Sequence, residues 1–390
     1  MKRDTLLGHA GRERAGRRPV NPPIHRASTI LFDSVADYQE AHHTRLERDQ
    51  LYYATFGTQT TFAFTSAMAA LEGGYGAIAV PSGLAAIVAT LQSFLHAGDH
   101  VLVPDSVYGP VRVACDGVLR EQGIETTYYD PRIGAAIGSQ VRGNTRLIYL
   151  ESPGSITFEV QDVPAIVAVA KDRGIPTAID NTWATGYLFD ALGQGVDVSI
   201  VAATKYVAGH SDVVLGAIVT TERYFAQLRS AVASLGYSAS PDDCWLALRG
   251  LRTLGVRLRA HEQRALRIAQ YIAERQEVEE VLYPALPGAA GHDLWKRDFK
   301  GACGLFSFIF SPDVAESRAI AFIEHLELFQ IGASWGGFES LALLLRLGAR
   351  PGTSRTLSDW QSRGPLVRLH IGLEDPDDLL ADLEAAFGSL

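Results

Sequence analysis

The sequence predicts an α/β protein: a mostly parallel, doubly wound sheet, followed by a smaller C-terminal α+β domain and preceded by an N-terminal arm. Three observations predict it. Between residues 61 and 252, short apolar runs alternate with amphipathic stretches, the pattern of βαβ units. Near Arg252 the texture changes to a long polar-faced helix, "RLRAHEQRALRIAQYIAERQEV". Residues 1–60 show neither pattern.

In chain order, residues 1–60 are polar, with prolines and aromatics and little regular periodicity. They are expected to pack on something else, such as a neighbouring subunit. The basic cluster from Arg12 to Arg18 is short and flanked by Gly and Pro, so it reads as a flexible arm. "TSAMAALEGG" reads as a helix stopped by Gly73 and Gly74. "AIAV", "HVLVPD", "RLIYLES", "PTAID", "VDVSIVAA" and "VVLGAIVT" read as strands, with helices such as "AAIVATLQSFLHAG" and "VPAIVAVAKDRG" between them. After the long helix come "CGLFSFIF", further helices and "LVRLHIGLED". The expected domains are 1–60, 61–252 and 253–390.

Composition narrows the function. The chain is 47% hydrophobic and 20% charged, an ordinary globular balance. A net charge of -9 argues against a nucleic-acid partner, which wants a basic face. Cys115, Cys244 and Cys303 are far apart and odd in number, so neither a metal site nor a disulfide framework is expected. No apolar run is long enough for a membrane span, and no secretory signal follows the early charges. Asp4 and Glu13 argue against a transit peptide. A cytoplasmic enzyme is expected.

Familiar motifs are absent: there is no GxGxxG, no Walker loop, and "HEQRA" lacks the second histidine of a zinc motif. His42 and His43 read as solvated. "GASWG" at Gly332–Gly336 satisfies GxSxG, with Asp359 and His370 downstream in hydrolase order. Yet that elbow belongs amid a parallel sheet, and this one stands well beyond it.

Three strand ends are better placed, since ligands of open α/β sheets lie beyond the carboxyl ends of the strands. After "AIAV", Ser82, Gly83 and Leu84 open a helix, where backbone N–H groups receive phosphate; the same residues also make an ordinary turn and cap. After "PTAI" comes Asp180, an acid that either wants a cationic partner or caps a helix. After "SIVAA" come Thr204 and Lys205. Lys205 is either a snorkelling surface lysine or an amine kept reactive by burial. A phosphate cradle, an acid and a strand-end lysine together suit pyridoxal 5'-phosphate, with the acid holding the ring nitrogen. Tyr108, after another strand, is a candidate to stack on the ring.

These residues sit in stretches that resemble the pyridoxal-phosphate enzymes of cysteine and methionine metabolism, in fold type I. The stretches are "RASTILFDS", "LEGGYGAIAVPSG", "ESPGSITFEVQDVPAI", "IDNTWATG", "AATKYVAGHSDVVLG", "RGLRTLGVRLRAHE", "YPALPG", "CGLFSF", "SWGGFESL" and "VRLHIGLEDPDDLLADLEAAF". They span nearly the whole chain in order. The resemblance implies that Lys205 is the covalent lysine and general base, that Asp180 holds the pyridine nitrogen and that Tyr108 stacks on the ring. Ser82, Gly83, Leu84 and Thr204 would surround the phosphate. Arg368 would clamp the substrate α-carboxylate, with Ser334 and Trp335 nearby. Tyr53 would reach a neighbour's cofactor across a dimer, and two dimers would make a tetramer.

Thr55 and Phe56 stand where the family pattern shows two arginines, one for the phosphate and one for the far end of the substrate. Ala333 stands where the β-lyase type often has tyrosine. The implied activity is carbon–sulfur β-elimination on L-cystathionine or a related thioether. Racemisation, γ-elimination and γ-replacement on a less acidic amino acid remain open beside it. A serine hydrolase and a non-catalytic regulatory module are the remote readings. Phe56 would line the distal end of the substrate pocket.

Overall fold

The computed structural model describes residues 1–12, 16–347, 355–356, 360 and 363–390. Glu13 and Arg14 of the basic cluster, and Asp359, lie outside the described residues.

The N-terminal sixty residues are more regular than their sequence predicts. They hold α1 (Arg3–His9) and α2 (Val35–Thr44). Ser34 caps α2 by accepting the Asp37 N–H, and α2 buries none of its residues. A helix with no buried face has no apolar stripe to read. A single 3₁₀ turn, Ala54–Phe56, leads into α3 (Gln59–Glu72). There the expected stop is seen: Gly73 takes φ 76°, a conformation that costs a residue without a Cβ little.

The alternating region follows as β1 (Gly76–Val80), α4 (Gly83–Phe94), β2 (His100–Pro104), α5 (Gly109–Ala114), β3 (Glu125–Tyr129), β4 (Thr145–Glu151) and α6 (Val163–Asp172). It continues through β5 (Thr177–Asp180), α7 (Thr185–Leu188), β6 (Val198–Val201), β7 (Gly216–Thr220), α8 (Glu222–Ser234) and α9 (Pro241–Leu251). The long helix is α10 (Leu254–Ala273). After it come β8 (Val278–Leu282), α11 (His292–Asp298), β9 (Leu305–Phe310), α12 (Glu316–His325), β10 (Gln330–Ile331), β11 (Leu341–Leu345), β12 (Leu366–His370) and α13 (Pro376–Gly388). β3 and β8 carried no sequence signal because both are edge strands, and neither forms a continuous buried apolar run.

The chain forms two compact units. One joins Met1–Leu95 to Ala178–Gly255; the other joins His96–Thr177 to Val256–Leu390. In the first, the strand order is β1-β7-β6-β5. β6 is parallel to β5, and β7 is antiparallel to both β6 and β1. It follows that β1, β5 and β6 run the same way and end at one edge. α3 packs on β1 and α9, and α4 on α8 and β7.

The second unit holds the parallel run β4-β2-β3 and a five-stranded sheet, β10-β11-β12-β9-β8. That second sheet is antiparallel except at β10–β11. Its core is aromatic: Phe308, Phe310, Phe322 and Phe387 meet with ring centroids 4.8–6.3 Å apart. No described helix is long and apolar enough to cross a membrane.

Candidate active site

The first unit gathers its chemistry where β1, β5 and β6 end. Beyond β1, the Ser82 Oγ accepts the Ala85 N–H at 3.0 Å and starts α4. A Cβ on Gly83 would lie 2.5 Å from the Ala202 Cβ, so only glycine lets this helix start approach the end of β6. Leu84 is 38% exposed beside it. The first-turn N–H groups of a helix lack partners within it, which suits them to an anion.

Asp180 is the last residue of β5 and is half-buried. It caps no helix, since α7 begins only at Thr185. Instead its Oδ1 accepts the Thr182 N–H at 2.9 Å. The Thr182 hydroxyl accepts the Ala202 N–H at 2.9 Å, which ties the end of β5 to the end of β6. Burial pushes the Asp180 carboxyl above the usual range, while Thr182 and the nearby Lys205 ammonium pull it back.

Lys205 lies in the turn that joins β6 to β7. Its N–H donates to the Ala202 carbonyl at 3.0 Å, and its carbonyl accepts the Gly209 N–H at 2.8 Å. The Thr204 Oγ1 accepts the Leu215 N–H at 2.9 Å and donates to the Leu215 carbonyl at 3.2 Å, pinning the turn. The chain has five lysines, and Lys2, Lys171, Lys296 and Lys300 are exposed. Lys205 is half-buried.

Glu72 supports this edge and escaped sequence reasoning, because it reads only as the end of α3. It is 1% exposed. It accepts from the Asn181 amide at 2.9 Å, the Ser199 hydroxyl at 2.7 Å and the Gly186 N–H at 2.5 Å. Burial raises its pKa and these donors lower it. Through Asn181 it is tied to the residue that follows Asp180. In Glu72→Gln, an NH₂ group faces one of three donors. The variant is expected to lose about 1–3 kcal/mol, measured as a lower denaturation midpoint, with Glu72→Asp no better.

In the second unit, β2 and β4 run parallel and end together. Tyr108 follows β2, is 43% exposed, and donates its N–H to the Glu151 Oε2 at 2.7 Å. Glu151 is the buried last residue of β4. Arg368 lies within β12 and donates to the carbonyls of Ala333 at 3.1 Å and Ser334 at 3.4 Å. Trp335, next in the chain, is half-buried. Desolvation pulls the Arg368 guanidinium down to about 10, with Tyr108 opposing it, so Arg368 stays charged at neutral pH.

The hydrolase elbow does not form. Ser334 lies in irregular chain between β10 and β11, not at a strand-to-helix turn. His370 is buried, and its Nε2 accepts the Gly336 N–H at 3.1 Å.

On the arm, Tyr53 is 45% exposed. The Phe56 ring meets Tyr52 edge-on at 5.8 Å, and the Arg229 guanidinium stands 5.7 Å from its centre. Arg229 also donates to the Phe56 carbonyl. Thr55 and Tyr53 line a cavity of about 320 Å³. Arg45 and Arg48, the nearest upstream cations in the chain, donate instead to the carbonyls of His42 and Tyr75.

Pyridoxal phosphate fits the first unit's edge: a helix start opened by Gly83 for its phosphate, Asp180 for its ring nitrogen and a sheltered Lys205 for its aldehyde. Residues 4–388 match the family model described as Cys/Met metabolism PLP-dependent enzyme. The chain is 44% identical to the cystathionine beta-lyase MetC of Escherichia coli K12, covering 100% of this chain and 99% of that one. It is 39% identical to an L-alanine/L-glutamate racemase of Wolbachia pipientis wMel, covering 100% and 98%. Among solved structures it resembles a cystathionine gamma-lyase from Lactobacillus plantarum complexed with L-serine, with a TM-score of 0.90 and 32% identity, covering 100% and 99%.

Proposed function

The chain belongs to the Cys/Met metabolism PLP-dependent enzymes, a fold type I family, and from that premise we propose a carbon–sulfur β-lyase acting on L-cystathionine or a related thioether. The observation that carries the chemistry is the gathering of the Ser82–Gly83 helix start, Asp180 and Lys205 where β1, β5 and β6 end. The full-length likeness to a cystathionine beta-lyase carries the outcome.

Each residue then has a task. Ser82, Gly83, Leu84 and Thr204 would hold the cofactor phosphate, and Tyr108 would stack on the ring. Asp180, as a carboxylate, keeps the ring nitrogen protonated. When bound, the cofactor supplies an electron sink for the charge left on the substrate α-carbon. The Lys205 amine takes the α-proton. Arg368 grips the α-carboxylate as a two-pronged donor, with Ser334 and Trp335 shaping that end. Loss of thiolate from the β-carbon, followed by hydrolysis, converts cystathionine and water to homocysteine, pyruvate and ammonia.

Arg368→Lys keeps the charge and loses the fork. It is expected to lower kcat/KM about 10- to 100-fold, as for losing one charge-assisted hydrogen bond. The loss should be similar for every amino-acid substrate. A loss confined to long or acidic substrates would move Arg368 to the distal pocket.

We further propose 1–60 as a subunit-contacting arm, 61–252 as the cofactor domain and 253–390 as the C-terminal domain. A cytoplasmic homodimer with shared sites, paired into a tetramer, suits the exposed Tyr53 and the exposed Leu31 and Val35 on the arm. The second reading is amino-acid racemisation. It is favoured by the Wolbachia relative and by Thr55 and Phe56 in place of cations. A panel of cystathionine, neutral thioethers, alanine and glutamate, assayed for pyruvate and for loss of chirality, decides. Pyruvate from cystathionine without racemisation supports the lyase; the reverse pattern overturns it.

A further inference from the structure

We infer that His370 is a positioning residue for the α-carboxylate clamp: it fixes the Ala333–Gly337 loop against which Arg368 is held. The inference rests on the reading of Arg368 as that clamp. It gives a task to a sequence feature that the proposed chemistry leaves unused, "GASWG" with His370 downstream. The structure brings the two together at the Gly336 N–H.

Arg368 and His370 stand two apart on β12, so their side chains share one face of the sheet. Both reach the same stretch of chain. Arg368 donates from Nη2 to the carbonyls of Ala333 at 3.1 Å and Ser334 at 3.4 Å. The His370 Nε2 accepts the Gly336 N–H at 3.1 Å. The Gly337 carbonyl lies 3.2 Å from the same nitrogen, so either tautomer of the ring ties it to this turn. Gly336 takes φ 88°, a conformation that costs glycine little.

The rest of the loop is tied separately. The Leu373 N–H donates to the Phe338 carbonyl at 2.7 Å. The Ser340 N–H and hydroxyl donate to the Glu374 carboxylate at 2.7 and 2.9 Å. A Cβ on Gly372 would lie 2.3 Å from the Phe338 carbonyl oxygen, so only glycine allows this approach. These bonds hold residues 338–340 whatever stands at 370. Ala333–Gly337, which carries Ser334 and Trp335, meets β12 through Arg368 and His370. Without the His370 bond, Arg368 would move with the loop. Because the guanidinium is planar and rigid, a shift at Nη2 turns the whole fork that grips a carboxylate.

His370 is itself held in place. It is buried, and its ring centre lies 5.3 Å from that of His261 on α10. His261 is buried too, and its Nδ1 donates to the Ile371 carbonyl at 2.7 Å. Burial pulls the His261 imidazole down to about 3, so it braces the ring without adding charge beside Arg368.

His370→Phe keeps a ring and removes both nitrogens. In the holoenzyme it should raise KM about tenfold for every amino-acid substrate, the upper worth of one neutral hydrogen bond. kcat should fall less than about threefold. His370→Gln, whose amide offers both a donor and an acceptor, should recover most of the loss. Hydrogen-exchange mass spectrometry gives a readout apart from turnover. Peptides covering 332–337 should exchange faster in His370→Phe and recover in His370→Gln, while 338–345 keeps its wild-type rate. Should His370→Phe fail to fold, His370→Leu is smaller and equally lacks the nitrogens.

An unchanged KM with a lower kcat or Tm would make His370 structural and overturn the inference. Unchanged exchange over 332–337 overturns it as well, as does a KM rise confined to long or acidic substrates. A wild-type enzyme that acts on no amino acid counts against the proposed function, and the exchange arm still decides this one.

Discussion

Lys205→Ala is expected to abolish turnover, lowering kcat by more than about 10³-fold, since on the proposed mechanism it removes both the covalent anchor and the general base. The fold should survive. Lys205 is held in its turn by backbone bonds to Ala202 and Gly209, and these do not need its side chain. On the proposed mechanism the phosphate end of the cofactor would keep Ser82, Gly83 and Thr204. The variant should therefore still bind pyridoxal phosphate, but with the absorbance of the free aldehyde. An amine added from solution should recover part of the proton abstraction. A variant that keeps wild-type absorbance and turnover would show that another group does both jobs.

Asp180→Asn is expected to slow α-proton exchange roughly 100-fold or more, because the amide cannot hold a proton on the ring nitrogen by charge. The substitution nearly preserves shape. The Thr182 N–H can still find the amide oxygen in place of Oδ1. Cofactor binding and Tm should change little, and the loss should fall on kcat. The sign of the burial effect supports this division. Desolvation raises the Asp180 pKa, so the buried carboxylate is an unfavourable state until a cation stands opposite it. Near-normal exchange in Asp180→Asn would assign the nitrogen to another acid.

Much of the fold was legible because burial wrote it into the chain. β1, β2 and β7 are buried at every position, so each appears as an apolar run. Gly73 was legible because a left-handed stop needs glycine. Lys205, Asp180 and Ser82 were legible because they break such runs at their ends. Other features left no mark. α2 buries nothing within this chain, so its apolar residues follow no stripe. β3 is an edge strand whose sequence, "ETTYY", satisfies one neighbour only. Glu72 is a single acid at the end of a helix, and its role arises from Asn181, Ser199 and Gly186, all more than a hundred residues away. Phe56 was expected at the distal end of a substrate pocket from its alignment with a cation. Its contacts with Tyr52 and Arg229 depend on a turn geometry that no local pattern announces.

The central claim is that the chain carries its cofactor on the one sheltered lysine at the edge where β1, β5 and β6 end. Borohydride reduction of the holoenzyme, followed by digestion and peptide mapping, tests it most directly. With only five lysines in the chain, the result is unambiguous. The account predicts a single pyridoxyl label, on the peptide containing Lys205; a label on Lys2, Lys171, Lys296 or Lys300, or no label at all, would contradict it.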